Sequence, residues 1–340
     1  MKNAFGVDVA VLLVFFNRPV TFAPVFEEVR KARPSRLFLY QDGPRSPSDM
    51  PGVEECRRIA SDENIDWECD VRRFYQDTNK GCDPSGYIAH RWAFSQADKC
   101  IVIEDDVLVS RSFFRFCAEM LERYEDDERI TMIAGFNTDG ETTDVDADYF
   151  FTSTFSIWGW ASWARVVNAW DGGYSFVRDK EAMSRLTALV KDRRIRKDFI
   201  PMCRRHAASG KEHFESIFWG HMLLNSGLAV MPTKNMVRNI GAMPDSTHFS
   251  SELETMPRGI RRMFTMGSFD VKFPLRHPNY VVDHVAYKDR LYRRNAWGHP
   301  ARKVSYSIEE LLLNIRKGRW ANISKALRRR VGKWMAALGA

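Results

Sequence analysis

Three consecutive carboxylates, Glu104-Asp105-Asp106, follow the apolar run Ile101-Val102-Ile103. A run of that length and character suits a buried strand, and in open α/β sheets ligands bind at the carboxyl ends of the strands. Carboxylates crowded at such an end repel one another unless a cation joins them. Their hard oxygens suit Mg²⁺ or Mn²⁺ holding a diphosphate. Glu104 and Asp106 are two residues apart, so on an extended chain they face the same side. Spacing alone leaves a second reading open, a solvated acidic turn that caps the next helix. The Walker-type phosphate loop, the dinucleotide G-x-G-x-x-G, the G-x-S-x-G elbow and H-E-x-x-H are all absent from the sequence, which excludes the chemistries those motifs carry.

The elements that must position these carboxylates are legible as alternating periods. Val9 to Phe16 is a short buried-strand run, and Phe22, Val25, Phe26 and Val29 recur at helical spacing until Pro34. Leu37 to Tyr40 is a second apolar run, closed by Asp42-Gly43-Pro44 and a loop to Gly52. A helix from about Val53 to Ala60, a strand near Val71 to Tyr75, a loop over Asn79 to Gly86 and a helix from about Tyr87 to Gln96 lead into the strand ending at Glu104. Ser110 or Ser112 is positioned to cap a helix striped by Phe113, Phe116, Met120, Leu121 and Tyr124. Ile130 to Ala134 is another apolar run. This alternation predicts an α/β fold with a mostly parallel sheet. Beyond residue 149 a strand (Tyr149 to Phe155), a tryptophan-rich stretch (Trp158, Trp160, Trp163, Trp170), a basic helical segment (Asp179 to Ser209), a helix around His213 to Asn225, a strand from Leu228 to Met231 and a loop from Asn239 to Ser251 follow.

The chain has 340 residues, 44% hydrophobic and 28% charged, which excludes collagen-like and largely disordered classes. Its formal charge of +7 lies in the last forty residues: positions 301–340 hold ten Lys/Arg and two Asp/Glu, and the remainder sums to −1. A neutral body argues against a nucleic-acid partner. The six cysteines stand singly, as in a reducing compartment. The Val9 to Phe16 run lacks the features of a secretory signal, and no stretch reaches the roughly 18 to 20 apolar residues of a membrane span. The expected localisation is cytoplasmic, with any membrane contact peripheral on the inner face.

Phe16-Asn17-Arg18-Pro19, Gln41-Asp42-Gly43-Pro44-Arg45, Asn79-Lys80-Gly81-Cys82, Glu104-Asp105-Asp106 followed by Phe113-Phe114, and Trp158-Gly159-Trp160 occur in that order. Over residues 7–250 the ordered set resembles the bacterial HlpA-like hemolytic proteins. These are GT-A fold nucleotide-diphospho-sugar transferases, distantly similar to animal N-acetylglucosaminyltransferase I. The resemblance implies a mixed, mainly parallel sheet flanked by helices. It assigns residues 1–140 to nucleotide-sugar binding, 141–300 to the acceptor-binding and catalytic part of the same domain, and leaves 301–340 as a basic amphipathic helical extension. The implied activity is metal-dependent, inverting transfer of a sugar from a nucleotide sugar, a UDP-sugar first, to a glycan or lipid-linked glycan. Asp106 matches the ligand of Mn²⁺ or Mg²⁺ on the donor diphosphate, with Asp105 beside it and Glu104 near the donor sugar. Arg18 matches a diphosphate contact, for which its fixed fork is suited. Asp42 matches a base contact accepting the uracil N3 proton, and it also opens an Asp-Gly turn.

The family's general base is an Asp after a Trp; the matching dipeptide here is Phe214-Glu215, so Glu215 is the expected base. His90 lies one residue out of register with a nucleotide-contacting His and is expected on a helix surface. Asn239-Ile240-Gly241 and Asp245-Ser246-Thr247-His248 resemble a loop that closes over the donor. Gly241 supplies permissive backbone there, and His248 is assigned to the donor, with metal ligation or pairing with a nearby carboxylate left open. Ala242-Met243 stands where a second Gly is expected. Among the tryptophans, Trp160 is assigned to the donor. In the tail, Ile308, Leu311, Leu312 and Ile315 share one helical face. In a second helix, Ile323, Leu327, Val331, Trp334, Met335 and Leu338 oppose Lys325, Arg328, Arg329 and Lys333. Residues 321–338 thus suit an anionic membrane surface, and a helix docked on the body is the competing reading. Two rival functions stay open: a nucleotidyltransferase of similar architecture, and a non-catalytic sugar- or membrane-binding protein.

Overall fold

A computed structural model of the chain describes residues 4, 6–189, 195–242 and 253–338. The described residues form ten strands: β1 (Val7–Phe15), β2 (Pro34–Gln41), β3 (Asp70–Tyr75), β4 (Lys99–Glu104), β5 (Val107–Val109), β6 (Ile130–Ala134), β7 (Tyr149–Thr152), β8 (Trp160–Trp163), β9 (Leu228–Pro232) and β10 (Val237–Asn239). The first helices are α1 (Pro19–Ala32), α2 (Met50–Ile59), α3 (Cys82–Phe94), α4 (Phe113–Arg123), α5 (Ala164–Val167) and α6 (Lys180–Leu189). They are followed by α7 (Ile200–Ser209), α8 (Phe214–Leu224), α9 (Arg258–Thr265), α10 (Val285–Arg294), α11 (Pro300–Arg316) and α12 (Trp320–Leu338).

Eight strands make one mixed sheet in the order β3-β2-β1-β4-β8-β6-β9-β7, and β5 pairs with β10 apart from it. β1 runs parallel to both β2 and β4, and β2 to β3. β8 is antiparallel to β4 and β6, β9 is parallel to β6, and β7 is antiparallel to β9. This is the α/β, mainly parallel architecture that the alternating periods predict. The continuous apolar run of β1 is explained by its central place, with Val11, Leu12 and Leu13 fully buried. Strands from both sides of residue 140 interleave in the sheet, since β8 lies between β4 and β6.

Two local expectations are corrected, and one segment left without an assignment above is filled. α3 begins at Cys82, not near Tyr87, because Pro84 is tolerated in a first helical turn. The tryptophan-rich stretch contains β8, whose four residues are all buried in mid-sheet. Ser112 is the residue before α4, but its hydroxyl accepts the Val271 N–H at 2.9 Å and does not cap the helix. Among the described residues, no helix is long and apolar enough to cross a membrane.

Candidate active site

The strand order reverses direction at β1 and β4, since β2 and β3 are added on one side of β1 and β4 on the other. The crevice outside the carboxyl ends at such a switch point is where open α/β sheets bind ligands. Parallel register sets Val14 beside Glu104, so the segments leaving the two strands, 16–18 and 104–106, meet. The Arg18 guanidinium pairs with both acids: Nη2 donates to Asp105 Oδ1, and Nη1 lies 3.0 Å from Asp106 Oδ2. Asp105 Oδ2 also accepts the Phe16 N–H at 3.2 Å. β10 closes the other side, paired with β5 so that Asn239 faces Val107. From there Asn239 Nδ2 donates to Asp106 Oδ1 at 3.3 Å and the Ile240 N–H to the Asp106 carbonyl at 2.8 Å.

Negative charge exceeds positive charge in this cluster. Burial first, then Asp106, Glu215 and Asp105, push the Glu104 carboxyl well above the usual carboxylate range, and Arg18 offsets this only in part. Burial also raises Asp105, against the pull of Arg18. Burial opposes the charge on Arg18, yet Asp105 and Asp106 hold its guanidinium above the ordinary arginine value. Among the described residues Asp106 Oδ1 and Oδ2 each have one protein donor, which leaves a lone pair on each for a cation. Among the described residues no three His, Cys, Asp or Glu side chains form an all-protein metal site. One carboxylate with the balance of ligands from phosphate and water is the usual Mg²⁺ arrangement, so this donor set fits a metal–diphosphate.

A cavity of about 160 Å³ opens beside the cluster, lined by Phe16, Arg18, Asp42, Arg45, Cys82 and Glu104 among others. Arg45 lies over the Phe16 ring at 5.2 Å and is fixed by Asp49 at 2.7 Å. Asp42 lines this cavity but spends its carboxylate on the following loops. Oδ1 accepts the N–H groups of Gly43 at 2.9 Å and Lys80 at 2.8 Å, and Oδ2 accepts Asn79 Nδ2 at 2.9 Å and the Gly81 N–H at 3.1 Å. Four donors fill its four acceptor positions, so the expected bond to a base proton has no lone pair left here. Asp42 is a staple for residues 79–81.

α8 starts between this cavity and a second one. Phe214 lines the first, and Glu215, the next residue, lines the second, which holds about 300 Å³. The approach needs Gly86 of α3: a β-carbon there would stand 2.6 Å from the Phe214 ring. Glu215 is half-buried in the first turn of α8 and close enough to raise Glu104. The second cavity also contains Trp158, Trp219, Trp297, His206, His213 and Asp83. His213 Nδ1 lies 3.0 Å from Asp83, its ring stacks on His206 at 3.9 Å, and His206 Nδ1 meets Ser216 Oγ at 2.8 Å. The buried Trp219 Nε1 has no hydrogen-bond partner among the described residues. Asp83 and His213, the histidine pair and the Trp219–Trp297 wall were not legible from local spacing, because α3, α7, α8 and residue 297 meet only in the fold.

Arg18, Glu104, Asp105, Asp106 and Glu215 are thus brought together. Trp160 is not with them: it is fully buried in β8, packed on His90, Phe94, Trp170 and Phe218, and Trp158 is the tryptophan of that motif that faces a cavity. His90 is not on a helix surface but 1% exposed, against Phe214 and the first cavity. Burial drives its pKa down to about 3. Gly241 is required for space, not for an unusual backbone angle, because a β-carbon would collide with Asp106. His248 and its neighbours Asp245 to Thr247 lie outside the described residues.

No family model matches the chain, and no curated protein does. Among solved structures, the chain is similar to UDP-glucose pyrophosphorylase complexed with UDP-glucose, at 9% identity over 48% of this chain and 81% of that one, with a TM-score of 0.29. It is also similar to a 4-diphosphocytidyl-2C-methyl-D-erythritol synthase from Anaerococcus prevotii, at 8% identity over 51% and 77%, with a TM-score of 0.28. Likenesses at that level carry no argument about function, and the α/β assignment stands on the sheet itself.

Proposed function

We propose that the chain is a nucleotide-sugar-dependent glycosyltransferase of the inverting kind, related to the HlpA-like family. The observation that carries this reading is the position of Glu215: Phe214, the residue before it, lines the first cavity, at the β1/β4 switch point, while the Glu215 carboxylate lines the second, aromatic-walled cavity. The first suits a nucleotide diphosphate sugar, a UDP-sugar foremost. The second suits a glycan or the sugar end of a lipid-linked glycan, whose rings pack on Trp158 and Trp297.

In this reading Glu215 accepts the proton of the acceptor hydroxyl as that oxygen bonds to the anomeric carbon. The bond from the anomeric carbon to the diphosphate oxygen breaks, and the nucleoside diphosphate leaves with the electron pair. Arg18, oriented by Asp105, places fixed positive charge where the leaving group gains its negative charge. Asp106 would hold Mn²⁺ or Mg²⁺, which when bound neutralises charge on the diphosphate. Glu104 lies toward the donor sugar, and Asp42 shapes the loop over the nucleotide. The rival reading, a nucleotidyltransferase, would be expected to carry a glycine-rich basic loop after the first strand, where this chain has Asn17-Arg18-Pro19.

Replacing Glu215 by Gln tests the reading. Sugar transfer from UDP-sugars to a panel of glycan acceptors is expected to fall by roughly 10² to 10⁴-fold, with UDP binding retained. Transfer unchanged by Glu215→Gln would remove Glu215 from the chemistry.

A further inference from the structure

We infer that the outer faces of α11 and α12 form a docking surface for an anionic lipid bilayer. α11 is attached to the body by one side. Tyr306 Oη donates to the Arg294 carbonyl at 2.8 Å, Glu309 Oε1 accepts the Arg258 N–H at 2.8 Å, and Asn314 is buried. At 100° per residue, the opposite side carries Val304, Ile308, Leu311 and Ile315, with Leu312 adjacent. These five are 44 to 60% exposed, so the amphipathic stripe that would ordinarily face a core faces solvent instead. α12 repeats the arrangement: Trp320, Leu327 and Val331 lie on one face and are 56 to 64% exposed. Lys325 and Arg328, also exposed, lie away from that face. Asn322 Nδ2 donates to Asn314 Oδ1 at 3.1 Å and ties the two helices together.

Charge selects the occupant. Residues 301–340 carry ten Lys/Arg against two Asp/Glu, whereas the rest of the chain is nearly neutral. A second copy seated on this face would bring two strongly cationic tails together, and like charges oppose that contact. A nucleic acid would satisfy the cations but leave the aliphatic stripe in water. An anionic bilayer interface satisfies both, taking the apolar face below its headgroups and the cations among its phosphates. The structure contains no spanning helix among the described residues, so the contact is peripheral.

Sedimentation of the full-length protein with vesicles of phosphatidylcholine alone, or mixed with phosphatidylglycerol, tests this. Uptake is expected only on the anionic vesicles, and it should weaken steeply with added NaCl. Two surface variants, Leu311→Glu with Ile315→Glu and Lys325→Glu with Arg328→Glu, should each reduce partitioning at least tenfold. Their thermal midpoints should stay unchanged, since all four positions are exposed. If one variant unfolds, the other and the salt dependence of the unmodified chain decide. Absence of uptake, equal uptake by neutral vesicles, or uptake indifferent to both variants overturns the inference. So does a concentration-dependent dimer abolished by the Leu311/Ile315 variant in a chain that ignores vesicles, which would make the face a self-interface.

Discussion

Gly241 abuts Asp106 so closely that a β-carbon at residue 241 would stand 2.0 Å from Asp106 Oδ2. The backbone is held there by the Ile240 N–H on the Asp106 carbonyl and by Asn239, whose side chain links Asp106 to the Gly241 N–H. Gly241→Ala is therefore expected to displace the Asp106 carboxylate with little effect on the sheet. Calorimetric titration of UDP in the presence of Mn²⁺ should show affinity reduced by roughly tenfold or more, the usual cost of disturbing a group that orients a metal ligand. Undiminished affinity would mean that Asp106 does not serve the nucleotide.

Arg18 is the positive counterpart of two largely buried acids. Arg18→Met leaves Asp105 without its partner, and breaking a buried pair from one side costs about 3 to 5 kcal/mol. Urea unfolding should record a loss of that order, with Arg18→Lys recovering part of it because charge returns without the two-pronged geometry. A fully stable Arg18→Met protein would show that Asp105 is compensated in some other way.

The depressed pKa of His90 gives a pH dependence with a definite sign. His90 is neutral when folded down to about pH 3, whereas the unfolded chain protonates it near its ordinary value of 6.5. The unfolded state thus binds the extra proton, so the associated stability is complete above pH 6.5 and is lost as the pH falls toward 3. Each unit of depression corresponds to about 1.4 kcal/mol. Urea midpoints should fall between pH 7 and pH 4, and His90→Phe should flatten that slope. An identical slope in the variant would assign the acid sensitivity elsewhere.

Asp42 offers a test that separates a staple from a base contact. Asp42→Asn turns one of the two oxygens into an NH2 group, so that either the Gly43 and Lys80 N–H groups or the Asn79 amide and the Gly81 N–H lose their acceptor, and it is expected to cost on the order of 1 to 3 kcal/mol. The ratio of UDP to CDP affinity should stay the same, since the Asp42 oxygens are filled from within the protein. A collapse of that ratio with stability intact would restore Asp42 as the base reader.

The sequence carried the strands of the parallel half and the acid cluster because both are local patterns: apolar runs of strand length, and carboxylates at the end of one of them. It also carried the amphipathic tail stripes, of which Ile308, Leu311, Leu312, Ile315, Leu327 and Val331 are exposed. The role of Trp160 was misread because aromatic density marks both core and sugar platforms, and only the insertion of β8 between β4 and β6 distinguishes Trp160 from Trp158. His90 was misplaced because α8 covers its side of α3, a contact between segments more than a hundred residues apart. The Asp83–His213 pair has the same origin, and so does the spatial reason for Gly241.

The proposed site binds a nucleoside diphosphate at the carboxyl ends of β1 and β4, held through Arg18 and Asp106. The most direct measurement is the thermal unfolding midpoint of the purified protein against nucleotides and nucleotide sugars, with Mn²⁺, Mg²⁺ or EDTA. A ligand bound only by the folded state raises the midpoint by mass action, by an amount equivalent to about 2.7 kcal/mol at a hundred times its Kd. A rise is expected with UDP compounds that requires Mn²⁺ or Mg²⁺ and disappears in Asp106→Ala. A midpoint unmoved by every nucleotide, or a rise that survives Asp106→Ala, would contradict it.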